Sequence, residues 1–299
     1  MDPWKQFKSG INNIVKNDLS ENQVRNDYNY LKNKLSFNKN FSPGHFGQLF
    51  FVLNNFKKDK NKISILDHGC SGSISLLFMA MKGYKNLWGV DIDFGNEERL
   101  KRLNNLLNIA TGRDINSQQR IFLYDGQKLP FTNNYFDFIF SQQVIEHIPK
   151  ENYLNYLKEE HRTLSENGIV YHQIPHRLVP FEAHTKSWFI HWFPQRISIK
   201  LYKIFSINIV ETSKYLFLRW PGKLKNDFAN TIGPVEIITH KRLNRYVNYG
   251  ELSYISKFLR KSLSCLAKTP LIGIFLAKMM SPFTMMELVA KKNNNIKNI

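Results

Sequence analysis

The feature that most constrains this chain is a rhythm between residues 63 and 175, where short apolar runs alternate with stretches of helical spacing. The runs fall at 63–66, 86–90, 120–124, 136–140 and 168–174, and helices are expected over 73–82, 97–109 and 151–164. Runs that are apolar throughout do not read as half-exposed strands. Strands of that kind, separated by helices, predict an α/β fold with a mostly parallel sheet covered by helices on both faces. In such a sheet ligands bind beyond the carboxyl ends of the strands.

The first three strands lead into Asp67, Asp91 and Asp125, each followed by turn residues. One such acid is commonplace; three in register point to a ligand. The first turn reads Leu66-Asp67-His68-Gly69-Cys70-Ser71-Gly72-Ser73, and its small residues let the backbone turn sharply and approach a ligand. Asp91 lies 22 residues beyond Gly69, where an acid can accept both hydroxyls of a ribose. A dinucleotide site wants G-x-G-x-x-G, and only Gly69 and Gly72 are offered. The acid two residues before Gly69 suits a ligand with an amino group better than a pyrophosphate. The balance favours S-adenosylmethionine over a nicotinamide.

At these residues the chain resembles the class I S-adenosylmethionine-dependent methyltransferases, and within them the small-molecule branch that includes quinone-biosynthesis enzymes. Ile65-Leu66-Asp67-His68-Gly69-Cys70-Ser71-Gly72-Ser73 looks like the family's acidic, glycine-rich first motif, and Gly89-Val90-Asp91-Ile92-Asp93 like its second. Asp125-Gly126-Gln127-Lys128-Leu129-Pro130-Phe131, Phe136-Asp137-Phe138-Ile139-Phe140-Ser141 and Val144-Ile145-Glu146-His147-Ile148-Pro149 match the segments that follow. The resemblance covers about residues 63–175 and implies a Rossmann-like, seven-stranded sheet. It also implies roles. Asp67, Gly69 and Ser71 would lie along the methionine part of the cofactor, Asp91 would bind the ribose, and Ile92 would pack on the adenine. Asp125 and Gly126 would meet the adenine amino group, and Ser141 and Gln142 would line the floor beside the sulfonium.

Two departures stand out. The family usually carries glycine where Ser71 and Ser73 stand, with Gly72 between them here. Serine costs little at such a place if its φ is negative. A relative with weakened cofactor binding, acting as a partner subunit, is the reading these serines keep open. Nucleic-acid branches are set aside. Adenine amino-group enzymes use an Asn/Asp-Pro-Pro-aromatic loop where this chain has Ser141-Gln142-Gln143-Val144, and a cytosine C5 enzyme needs a cysteine there.

Beyond the fifth strand lies a cluster of His172, His176, Glu182, His184 and His191. Any of these histidines can take a proton from an attacking hydroxyl, with His184 the first choice and His172 and His176 behind it. Glu146-His147 resembles an acid/base pair, but its spread through the family favours a structural role. No His-x₃-His pairing appears, so no metal site is expected. The run Ser187-Trp188-Phe189-Ile190-His191-Trp192-Phe193-Pro194 is either an acceptor wall or the underside of a lid helix.

Charge locates the remaining partners. The net charge is +18, yet residues 63–150 are balanced while 1–62 carry +6 and 241–299 carry +9. A nucleic-acid enzyme usually carries its basic footprint beside the site. The basic, partly apolar segment 257–282 is instead a helical insertion that either packs internally or docks on an anionic membrane. Only Cys70 and Cys265 occur, and the longest apolar run, 270–277, is far short of the ~20 residues of a membrane span. A cytoplasmic protein, free or peripheral to a membrane, is expected, with neither a secretory signal nor disulfides. Its parts would be a helical cap over 1–62 and a methyltransferase domain over 63–299, with insertions at 175–233 and 257–282. Strand six is expected at 252–256 and strand seven at 284–290. The expected reaction is O-methylation of a small or lipid-linked acceptor such as a saccharide, with a quinone-type phenol as the alternative.

Overall fold

The computed structural model describes residues 3–35, 44–56, 58–115, 117–207, 216–245, 262, 265 and 270–293. The chain forms two compact units, Met1–Ser141 with Glu159–Val170, and Gln142–Lys158 with Tyr171–Ile299.

The first unit opens with α1 (Pro3–Lys16), α2 (Glu21–Leu35) and α3 (Gly44–Asn54). On α1, Trp4, Phe7, Ile11, Ile14 and Val15 fall at helical spacing and are all buried. Trp4 packs edge-on against Phe46 and Phe78, with ring centroids 5.2 and 5.4 Å away. The N-terminal helices therefore share an aromatic core with α4 (Ile74–Met81).

The expected alternation follows: β1 (Ile65–His68), α4, β2 (Leu87–Asp91), α5 (Glu97–Ala110), β3 (Ile121–Leu123), β4 (Phe136–Gln142), α6 (Lys150–Thr163) and β5 (Leu164–Ile174). β1 pairs in parallel with β2 and β4, and β2 with β3. Every residue of β1 is buried, Asp67 and His68 included, so the strand is covered on both faces. Helix α5 starts where Asn96 accepts the Arg99 N–H at 2.8 Å, with Glu97 and Glu98 in its positive first turn.

In the second unit the chain beyond β5 forms a short antiparallel hairpin, β6 (Phe181–Glu182) with β7 (Ser187–Trp188), and then α7 (Gln195–Ile204) and α8 (Pro221–Thr231). Pro221 begins α8, where its missing N–H costs nothing. Strand β8 (Val235–Ile237), α9 (Thr239–Arg245), α10 (Pro270–Met280) and β9 (Met286–Lys291) complete the chain. The seven-stranded sheet runs β3-β2-β1-β4-β5-β9-β8, with β8 and β9 antiparallel. The edge strand is thus Val235–Ile237; the strand expected at 252–256 lies outside the described residues, as do 257–261, 263–264 and 266–269 of the basic insertion. Among the described residues, no helix is long and apolar enough to cross a membrane.

Buried polar residues brace β9. Glu287 accepts from Arg242 Nε at 2.7 Å and from Tyr171 Oη at 3.0 Å, and all three side chains are almost fully buried.

Candidate active site

In the first unit Asp67 lies near the end of β1 and Asp91 at the end of β2. Asp91 closes β2, and its Oδ2 accepts the Ser71 N–H at 2.7 Å while Oδ1 accepts the Ile92 N–H at 2.8 Å. The same carboxylate therefore shapes the first turn and the second strand end; Oδ1 also accepts the Asp93 N–H at 3.3 Å, and Oδ2 keeps a lone pair for a further donor. Gly69 and Cys70 both donate to Val90 O, at 2.9 and 3.0 Å, which lays the turn across β2. That approach requires Gly89: a Cβ there would stand 2.7 Å from Cys70 Sγ.

The turn's hand explains the two serines. Gly69, Ser71 and Ser73 have φ of 93°, 43° and 55°, and Gly72 is not among the positive-φ residues. Left-handed backbone thus recurs at alternate positions, two of which are the places where the family has glycine. The condition under which serine costs little, a negative φ, is met at neither position, and Gly72 between them does not carry the left-handed backbone. The left-handed region costs an L-residue roughly 1–2 kcal/mol. A Ser71→Gly change relieves that cost but loosens the unfolded chain by about 0.4–1 kcal/mol. The expected outcome is a gain of ~0.5–1 kcal/mol, or about 1–3 °C in melting temperature, with Ser71→Ala giving none. Differential scanning calorimetry of the three chains checks it.

Asp67 is buried, and burial followed by the charge of Asp91 pushes its carboxyl well above the usual range. Two carboxylates set close together favour a ligand that brings positive charge, and S-adenosylmethionine brings both an ammonium and a sulfonium. Ile92 follows Asp91 with 64% of its surface exposed, an apolar side chain open to an aromatic ring. Gly126, at φ 76°, puts its backbone against Ile92, since a Cβ there would meet Ile92 Cγ2 at 3.5 Å. Asp125 accepts the Gln127 and Lys128 N–H groups at 2.8 and 3.1 Å, which hold its carboxyl below the ordinary value. The chemistry of these donors and acceptors fits the cofactor. Ser141, buried, and Gln142, half-buried, are the last two residues of β4.

The histidine cluster named from the sequence lies in the second unit. His184 Nδ1 donates to Glu182 Oε1 at 2.6 Å, and Oε1 and Oε2 also accept the N–H groups of His184 and Thr185. The bond to Glu182 raises His184 above the ordinary imidazole value, and it outweighs burial. Burial works against the Glu182 charge, yet these bonds hold its carboxyl down at about 2. The dyad belongs to a cavity of about 220 Å³, lined also by Gln143, His176, Phe181 and His191.

His176 and His191 are engaged elsewhere. Nε2 of His176 donates to Thr284 O at 2.9 Å and Nδ1 accepts from the Leu178 N–H at 3.2 Å, and burial lowers the ring to about 4. His191 Nε2 donates to Val179 O at 2.8 Å. His172 is buried on β5, its ring 4.8 Å from that of Phe228. Of the three candidate bases, His184 alone is half-exposed.

Glu146, for which the sequence favours a structural role, sits in one turn of 3₁₀ helix at Ile145–His147 and is almost fully buried. Burial pushes its carboxyl up to about 7. Its turn is clamped by Arg219, whose guanidinium donates to Ile145 O and Ile148 O at 2.7 Å each and lies 3.9 Å from the Tyr153 ring centroid. Arg219 went unnoticed because its partners lie 74 and 71 residues away, with no local pattern to link them.

The comparisons follow this geometry. A family model described as "Methyltransferase domain" matches residues 48–208, more than half of the chain. No curated protein matches significantly. Among solved structures, the chain is similar to the Haemonchus contortus phosphoethanolamine N-methyltransferase 2 in complex with phosphomonomethylethanolamine and S-adenosylhomocysteine, with 17% identity, 93% of this chain and 61% of that one covered, and a TM-score of 0.45. It spans about three fifths of that enzyme's length. It is also similar to an S-adenosylmethionine-dependent methyltransferase from Mesorhizobium loti, with 14% identity, 84% and 100% coverage, and a TM-score of 0.47. By the match of its sequence over residues 48–208 and by its strand order, this chain belongs to the S-adenosylmethionine-dependent class I methyltransferases.

Proposed function

We propose that the chain transfers the methyl group of S-adenosylmethionine to the hydroxyl of a small or lipid-linked acceptor, a saccharide first among them. The carrying observation is the Glu182–His184 dyad. Holding Nδ1–H on a carboxylate fixes the tautomer and leaves Nε2 to receive a hydroxyl proton. Bound at Asp67, Asp91, Ile92 and Asp125, the cofactor supplies an electrophilic methyl group. Alignment accounts for much of the rate in such a displacement. The acceptor loses its proton to His184, and its oxygen gains the methyl group.

The exposed aromatic side chains of Trp188, Phe189 and Phe193 favour a saccharide, whose apolar faces stack on such rings. On α7, Ile197 and Ile204 are exposed beside Arg196, Lys200 and Lys203, with Phe205 following. An apolar stripe flanked by cations suits an anionic lipid surface, and hence a lipid-linked acceptor. A quinone-type phenol is the alternative acceptor.

The test is methyl transfer from labelled cofactor to free saccharides, lipid-linked saccharides in anionic vesicles, and phenols, with products identified by mass spectrometry. A methylated saccharide hydroxyl, with His184→Ala slower by about 10²–10⁴-fold at unchanged cofactor affinity, is the expected result. Transfer to phenols alone, or full activity in the variant, overturns the reading.

A further inference from the structure

A buried carboxylate ordinarily gathers hydrogen bonds, because removing a charge from water is costly unless it is paired. Glu146 does not. It is 1% exposed, and neither carboxylate oxygen has a hydrogen-bond partner. Loose backbone is not the reason, since its carbonyl accepts the Phe217 N–H at 2.6 Å and Arg219 clamps the carbonyls on either side. Arg219 could have neutralised it, yet its Nη1 and Nη2 donate to the backbone carbonyls of Ile145, Phe217 and Ile148. The fold thus holds an acid in place and leaves its oxygens without donors.

Two imidazoles stand opposite. His147 Nε2 lies 3.9 Å from Glu146 Oε1, and the His147 and His184 rings meet edge-on with centroids 5.2 Å apart. One ligand atom from each of Glu146, His147 and His184 falls within 4.8 Å of the other two. We propose that these three side chains form a binding site for a divalent first-row transition ion, zinc foremost. The proposal rests on the reading that this cluster handles the acceptor hydroxyl, and it deepens that reading.

The donor set is the argument. Two imidazole nitrogens and one carboxylate oxygen, with a position left open, are what catalytic zinc takes, while calcium and magnesium prefer all-oxygen shells. The second sphere is already built. Glu182 holds the Nδ1–H of His184, an arrangement that orients a ligating imidazole and strengthens its other nitrogen. Zinc–ligand bonds of about 2.0–2.1 Å require the three atoms to draw together by roughly 1 Å. His147 and His184 are 43% and 38% exposed and can make that movement by side-chain rotation, while Glu146 stays fixed. An ion held there with an open position would lower the pKa of a hydroxyl bound to it; with the ion bound, the proton would pass to solvent water and His184 would serve as ligand in place of its role as base. Sequence spacing hid the site: two ligands are adjacent and the third stands 37 residues on, so no helical pairing announces it.

The test uses the whole chain carrying Cys265→Ser, which removes an exposed thiol that would compete for metal. After chelator treatment it is titrated with cobalt(II), followed by visible absorption, and with zinc(II), followed by calorimetry. A single ion with cobalt d–d bands is expected. Glu146→Gln and His184→Asn should each weaken uptake at least ~100-fold and Glu182→Gln about 10–100-fold, all with S-adenosylmethionine binding intact. No uptake by the parent chain at millimolar metal overturns the proposal, as does equal affinity in Glu146→Gln. Should Glu146→Gln fail to fold, His147→Gln on the exposed side of the turn takes its place, with the same loss expected. Hydroxyl methylation that needs His184 but no metal removes the ion and leaves the transfer reading standing. Metal uptake by a chain that methylates no hydroxyl does the reverse.

Discussion

Asp91→Ala is expected to weaken S-adenosylmethionine binding by roughly 10²–10⁴-fold, the sum of two charge-assisted hydrogen bonds to the ribose at ~1.5–3 kcal/mol each. The change reaches further than the ribose. Asp91 also accepts the Ser71 N–H, so its loss removes the brace between the second strand end and the left-handed turn. Folding should suffer less than binding, because Asp67 is at the same time released from the repulsion that helps hold its carboxyl high. Asp91→Asn keeps one acceptor oxygen and should fall between the two. Calorimetric titration with cofactor, beside a melting curve, separates the effects. Wild-type affinity in the alanine variant would place the ribose elsewhere.

Glu287→Ala should be the most damaging single change to the second unit. It takes from Arg242, 1% exposed, the carboxylate that its Nε donates to and strips the Tyr171 hydroxyl and Gln173 amide of their shared acceptor. Breaking a buried pair from one side costs about 3–5 kcal/mol. Replacing both charges is a milder insult, since two apolar side chains of similar volume leave no uncompensated charge. The double variant Arg242→Met/Glu287→Met is therefore expected to recover most of the loss. Chemical denaturation of the wild type, the single variant and the double variant gives the comparison. A single variant as stable as the wild type would show that the network contributes nothing net.

The parts legible in the sequence were those built from local pattern. β1 through β5 and their helices appear within a few residues of their expected places, because continuous apolar runs and helical spacing are properties of neighbouring residues. The edge strand was not legible. Val235–Ile237 is three residues long, and only its pairing with β9, about fifty residues later, makes it a strand. The candidate cofactor acids stand out in the sequence by their register at strand ends, whereas the sign of φ at Ser71 and Ser73 does not, since serine gives no sign of a left-handed turn. Glu146 shows the limit most clearly. Its motif was visible, but its lack of hydrogen-bond partners is a fact of three-dimensional packing.

The close approach of the first turn to β2 has a chemical consequence. Cys70 Sγ is lodged where any side chain at residue 89 would be, and burial, followed by the negative charge of Asp67, pushes its thiol far above the ordinary value. The sulfur is thus neither ionised nor reachable, while Cys265 is exposed. Oxidants and electrophiles meet the outer thiol first and reach the inner one only through a distorted turn. Oxidative damage at the heart of the cofactor site therefore follows a loss of shape there and does not cause it.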